Sequence, residues 1–117
     1  MALKKLRMTR GDTRTWTLNF TSSGAAVNIT GWTIFFTLKT HVDLPDSLAS
    51  LQKIITEHTN AAGGVSQLDL VPSDTSGLDA GEYHFDLQVV TDGGEVHTLL
   101  KGKLILDFQV TAGTAGT

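Results

Sequence analysis

The sequence predicts an all-β domain, an antiparallel sandwich of about seven strands. Its repeated signal is an alternation of apolar and polar residues with a period of two, which is typical of strands with one buried and one solvent-facing side. Turn-forming stretches recur about every ten residues, which favours a sandwich over strands that alternate with helices. A partly open β-barrel would show the same alternation, so it stays open as the alternative architecture.

The clearest strands are predicted at 82–91 and 95–110. Gly93 and Gly94 lie between them, and glycine tolerates the positive φ of a tight hairpin turn, so the two strands should pair antiparallel. Their buried faces are predicted to carry apolar residues at alternate positions: Tyr83, Phe85, Leu87 and Val89 in the first strand, and Leu100, Leu104, Leu106, Phe108 and Val110 in the second.

Four shorter strands are predicted upstream, at 15–20, 32–39, 54–58 and 65–71. Trp16 and Trp32 share a register with aliphatic and aromatic neighbours, which assigns both to the core. A turn of helix at 72–78 then leads into Tyr83. A tyrosine at this place is typical of immunoglobulin-like sandwiches, where its hydroxyl binds the nearby backbone. An ordinary core tyrosine is the alternative interpretation.

Length and composition indicate one domain, residues 1–111, followed by a flexible tail, residues 112–117. The chain has 117 residues, nine of them Lys or Arg and 12 of them Asp or Glu, for a net charge of −3. This balance argues against binding to nucleic acid or to an anionic membrane. The absence of cysteine excludes disulfides and a cysteine nucleophile.

No set of residues assembles into a catalytic, cofactor or metal site in the sequence. The serines lie in turn-like stretches and none forms a nucleophile elbow, so we expect a protein without enzymatic activity. His84 and His97 could face each other across the predicted hairpin as metal ligands. Neighbouring side chains on a solvent-facing surface would explain them equally well.

The candidate partner-binding residues are four basic side chains near the start and one aromatic side chain: Lys4, Lys5, Arg7, Arg10 and Phe35. The basic residues could meet an acidic partner, or they could be the solvated charges of an edge strand that discourage unwanted pairing. Phe35 lies on the opposite face from Trp32. It marks either an exposed contact surface or a contact beneath the loop at 41–50.

Several segments together resemble small tail-associated proteins of bacteriophages and prophages, including the N-terminal domain of upper baseplate proteins. The resemblance spans roughly 10–111, nearly the whole chain, and its segments are Arg10-Gly11-Asp12-Thr13, Asn28-Ile29-Thr30-Gly31-Trp32, 72–78, Ala80-Gly81-Glu82-Tyr83, Asp86-Leu87-Gln88 and 98–104. It implies an immunoglobulin-like sandwich that docks into a virion, with no catalytic residues.

Two functional hypotheses follow. The first is a structural protein of a phage tail or baseplate, made in the cytoplasm of the bacterial host. Its partners would be other tail proteins or further copies of itself. The second is a stand-alone immunoglobulin-like module that binds carbohydrate or a cell-surface protein. Exposed aromatic side chains or a calcium site in the loops would favour the second.

Overall fold

The computed structural model describes residues 2–41 and 43–108, without the side chains of Ala2, Leu3, Lys4 and Asp46. It confirms the predicted all-β class, because strands hold 55% of the residues and helix only 6%. The elements in chain order are β1 (Ala2–Thr9), β2 (Arg14–Asn19), β3 (Thr21–Ser22), β4 (Ala25–Ala26), β5 (Thr33–Lys39), a 3-10 turn (Asp46–Leu48), β6 (Leu51–Ile55), β7 (Val65–Leu70), α1 (Pro72–Thr75), β8 (Gly81–Val90) and β9 (Val96–Asp107).

The main sheet has five strands in the order β1-β9-β8-β5-β6 and curves into a half-barrel. A second sheet pairs β2 with β7, and β3 with β4 form a small hairpin. The prediction of an entirely antiparallel arrangement is wrong at one edge, where β1 runs parallel to β9. Alternation shows which side of a strand is buried but says nothing about its direction. The long connection that a parallel pair needs is here almost the whole chain.

One hydrophobic core fills the space between the main sheet and the β2–β7 pair. Alternate residues of β5, namely Ile34, Phe36 and Leu38, are all 1% exposed or less. Leu70 of β7 belongs to the same cluster and has no exposed surface, so the second sheet covers the first. Each such side chain contributes about 1.5 to 3 kcal/mol through burial. The two tryptophans are half-buried and pack against this cluster, in agreement with their predicted core positions.

The predicted hairpin of β8 and β9 is confirmed. Thr91 donates its backbone N–H to the carbonyl of Glu95, and Gly94 has a φ of 86°. The register shifts between Leu87 and Gln88, which is a β-bulge. The second strand ends at Asp107, however, and Phe108 is 81% exposed, so its predicted core position is wrong. Val110 and the predicted tail, 112–117, lie outside the described residues.

Tyr83 is the third residue of the long strand β8 and closes the corner that leads into it. Its phenol donates a hydrogen bond of 2.6 Å to the carbonyl of Asp79, four residues upstream, while the residue is only 5% exposed. This confirms the predicted corner tyrosine over the alternative of an ordinary core tyrosine. Burial raises the pKa of Tyr83, and the nearby carboxylate of Asp79 acts in the same direction.

Tyr83→Phe should lower the free energy of unfolding by about 1 kcal/mol at neutral pH, because it removes one hydrogen bond to an exposed loop. The pKa of Tyr83 is higher in the folded state than in the unfolded state. The stabilisation is therefore complete below about pH 10, the ordinary value for tyrosine, and is lost as the pH rises further. Urea titrations of both proteins between neutral and alkaline pH measure this. A difference between them that stays constant through pH 11 would contradict the assignment.

Lys53 is a charged residue on the inward side of β6, directly opposite Phe36. Its ammonium group lies 2.9 Å from the Asp74 carboxylate, and both side chains are largely buried. The same carboxylate oxygen accepts the backbone N–H of Val71 at 2.9 Å. Asp74 therefore neutralises an inward-facing cation and at the same time fixes the short helix α1 beside the edge of the main sheet.

Candidate docking groove

A groove of about 1050 Å³ runs over the outer face of the main sheet, on the side away from the core. The alternation of β5 creates it, since Phe36 points inward and Phe35 outward. Phe35 is half-buried and lies opposite Gln88 of β8 and Ile54 of β6. Ile54 is 58% exposed, so an apolar strip extends from the groove to the β6 edge of the sheet.

A row of basic side chains crosses four strands of this face. In register, Lys5 of β1 lies opposite Lys103 of β9, which lies opposite His84 of β8, which lies opposite Lys39 of β5. Neighbouring strands in a sheet are about 4.8 Å apart, so the row gathers these groups within about 15 Å. Lys101 lies on the same face of β9 and also lines the groove.

Two carboxylates, Glu82 and Asp86, also line the groove, and both already have partners. The Glu82 carboxylate lies 3.2 Å from the Lys103 ammonium group, and Asp86 also has an interaction partner. Lys39 donates a hydrogen bond of 2.7 Å to the carbonyl of Leu44. The cations that remain are Lys5 and Lys101. Both are exposed, and neither forms an ion pair within 4.0 Å among the side chains that the structure describes, while Lys101 lies opposite Asp86 in the register of the sheet.

The structure places only some of the five predicted partner-binding residues in the groove. Lys5 and Phe35 both line the groove. Lys4 lies on β1, but its side chain falls outside the described part of the chain. The loop at 41–50 contacts the row of basic side chains, because the Leu44 carbonyl accepts a hydrogen bond from Lys39.

The two arginines of the predicted set make contacts within the chain. Arg7 binds Asp107 with two hydrogen bonds of 2.8 and 2.9 Å, and this contact raises the pKa of the arginine and lowers that of the carboxyl. Arg10 donates to the carbonyl of Ser76 at 2.8 Å, which joins the end of β1 to the chain after α1. Both arginines therefore have structural contacts, and Arg10 does not line the groove.

The basic groove residues that sequence reasoning missed are Lys39, Lys101, Lys103 and His84. The alternation of β8 and β9 does assign His84, Lys101 and Lys103 to outward faces. Only the register of four strands, two of them parallel, places them beside Lys5 and Lys39. That register depends on the β-bulge and on the position of β1, which local patterns do not encode.

A smaller cleft of about 400 Å³ separates β6 from β7, where the half-barrel stays open. Two of its charged side chains have partners within the chain. The Asp69 carboxylate accepts a hydrogen bond of 2.8 Å from the hydroxyl of Thr15, and Lys53 is paired with Asp74. The outer groove holds exposed lysines without such partners, so it is the stronger candidate for a binding surface.

A hydrogen-bonded serine and histidine occur on the inner side of the second sheet. His58 donates from Nε2 to the Trp32 carbonyl at 2.8 Å. In the neutral ring, Nδ1 then accepts from the Ser66 hydroxyl at 2.9 Å. Ser66 has no exposed surface, and a substrate in solvent cannot reach its oxygen. The pair connects β7 to the residue that precedes β5, and it has a structural role in this conformation.

The predicted facing of His84 and His97 is wrong. The turn centres on Gly93, which places His97 opposite Val89, and the β-bulge between Leu87 and Gln88 then places His84 opposite Lys103. Among the residues that the structure describes, no group of three histidine, aspartate or glutamate side chains could hold a metal ion. In the same part of the chain, no helix has the length and apolar character needed to cross a membrane.

No protein-family model matches the chain, and no curated protein matches it.

Proposed function

We propose that this protein is a non-enzymatic structural protein of a phage tail or baseplate, and that it docks a neighbouring virion protein through the outer groove. The observation that carries the proposal is the outward-facing Phe35 in a groove lined by four lysines. The solvent-facing side of an antiparallel sheet is ordinarily polar, and a half-buried aromatic residue within it is typical of an interaction surface.

The groove lies on well-supported strands. Strand β8 is paired along its length with β9 and from His84 onward with β5, and Tyr83 fixes the corner from which it starts. A binding surface on paired strands holds its side chains in place more firmly than one on loops, so less order has to be gained when a partner binds. The resemblance to phage tail proteins over 10–111 supports the same role.

The stand-alone carbohydrate-binding module receives less support. Such a module presents several flat aromatic side chains to solvent, whereas Trp16 and Trp32 pack against the core. Among the described aromatic residues only Phe108, just past the end of β9, is exposed. The guanidinium of Arg14 also lies 5.3 Å above the Trp16 ring and covers part of it.

The test is to locate the protein in phage particles induced from the bacterium that encodes it. Particles purified on a density gradient and washed in high salt should contain the protein by mass spectrometry. Immunogold electron microscopy should place it at the tail or baseplate, with particles from a gene-deletion strain as the control. Washed particles that lack the protein, while it accumulates in the cell, would overturn the proposal.

A further inference from the structure

We propose that the groove binds an extended acidic segment of a partner protein, with carboxylates beside Lys5 and Lys101 and an apolar side chain against Phe35. This inference rests on the proposed docking function and names the chemistry of the partner.

The distribution of charge supports an acidic partner. The whole chain carries nine basic and 12 acidic residues, yet four lysines and only two carboxylates line the groove. The positive charge is therefore concentrated on one face of an otherwise acidic protein. Because Glu82 and Asp86 have partners, an incoming carboxylate meets the exposed ammonium groups of Lys5 and Lys101.

The positions of these groups suit an extended chain. Lys5 pairs with Lys103 in the parallel edge, so Lys101 is its diagonal neighbour on the same face. From the strand spacing and the rise per residue, the two positions are about 8 Å apart. Alternate side chains of an extended peptide are about 6.6 Å apart, a difference that flexible lysine side chains accommodate.

The apolar side of the groove distinguishes a peptide from a simple polyanion. Phe35 lies opposite the exposed Ile54 of β6, so the β6 side of the outer sheet face offers apolar area to a partner. A segment that alternates acidic and apolar residues can use both features. Phosphate groups along a nucleic acid would engage the lysines but would leave this apolar area without a partner.

The experiment measures binding of a fluorescein-labelled peptide in which Glu alternates with Leu and Ser, by fluorescence anisotropy. The wild-type protein should bind it more weakly as salt is raised, and the matching peptide with Gln for Glu should bind at least tenfold more weakly. Labelling with ¹⁵N should show shifted amide signals at Phe35, Gln88 and Lys101.

A pair of variants tests the location. Lys101→Glu should weaken binding about tenfold, because it replaces an attraction with a repulsion, and this equals about 1.4 kcal/mol. Arg14→Glu changes the net charge by the same amount on β2, in the other sheet, and should leave binding within twofold. Circular dichroism should confirm that both variants are folded.

Several results would overturn the inference. These are equal binding of the Gln peptide, equal weakening by the two variants, and preferential binding of oligothymidylate. Self-association that Lys101→Glu abolishes, in the absence of peptide binding, would assign the groove to a second copy of the chain and would also overturn it. Absence of the protein from virions defeats the proposed function alone, whereas failure of peptide binding with the protein present in virions defeats only this inference.

Discussion

Gly64→Ala should lower the free energy of unfolding by about 2 to 5 kcal/mol. Gly64 precedes β7 with a φ of +73°, where a residue with a Cβ costs about 1 to 2 kcal/mol. The added carbon would also lie 2.6 Å from both the Phe20 and Val27 carbonyl oxygens. These are backbone atoms that cannot rotate away, so overpacking adds about 1 to 3 kcal/mol. Urea unfolding monitored by tryptophan fluorescence measures the loss.

Gly24→Ala is the matched control for this prediction. Gly24 lies in the turn between β3 and β4 with a φ of +79°, but a Cβ there would meet no atom within 4 Å. The control should lose only the conformational cost of about 1 to 2 kcal/mol. Equal losses in the two variants would show that the backbone contacts around Gly64 relax freely.

The sequence predicts burial closely wherever a strand has one solvent-facing and one buried side. The alternation around Tyr83 predicts β8 to within one residue at each end, and it assigns Phe35 and Phe36 to opposite sides. These assignments succeed because the cost of burying a polar side chain without a partner is local to that residue. Tyr83 is similar, since its hydrogen bond reaches only four residues back along the chain.

Features that depend on distant parts of the chain could not be predicted in this way. The parallel pairing of β1 with β9 joins residues about 100 positions apart. Lys53 breaks the apolar pattern of an inward face, because its partner Asp74 lies on a different element. Phe108 continues the apolar alternation of β9 but is 81% exposed, so the sequence pattern extends beyond the part of the strand that faces the core.

The candidate groove illustrates the same division. Alternation identifies Phe35 as an outward-facing aromatic residue, and the basic cluster near the start includes Lys5. The lysines in the row of basic side chains, however, come from β1, β5 and β9, and the register of the sheet brings them together. Two arginines of the predicted cluster have structural contacts instead, because Asp107 and the Ser76 carbonyl lie within their reach.

Phe36→Ala should lower the free energy of unfolding by about 3 to 5 kcal/mol. Phe36 is 1% exposed, and its ring centroid lies 5.5 Å from that of Phe85 on the neighbouring strand. The substitution removes buried apolar area, leaves a cavity and ends this ring contact. Because small domains have about 5 to 15 kcal/mol of stability in total, the variant should be close to unfolding at 37 °C. Thermal and urea denaturation measure the change.

Phe35→Ala is the control on the adjacent position and the opposite face. Phe35 contributes little to the core, so this variant should lose less than about 1.5 kcal/mol, near the lower limit for burial of a full side chain. It should nevertheless weaken binding of the acidic peptide, because it removes the apolar contact of the groove. A large loss of stability in Phe35→Ala, equal to that in Phe36→Ala, would show that this aromatic residue serves the fold. Wild-type stability with reduced peptide binding would assign it to a partner.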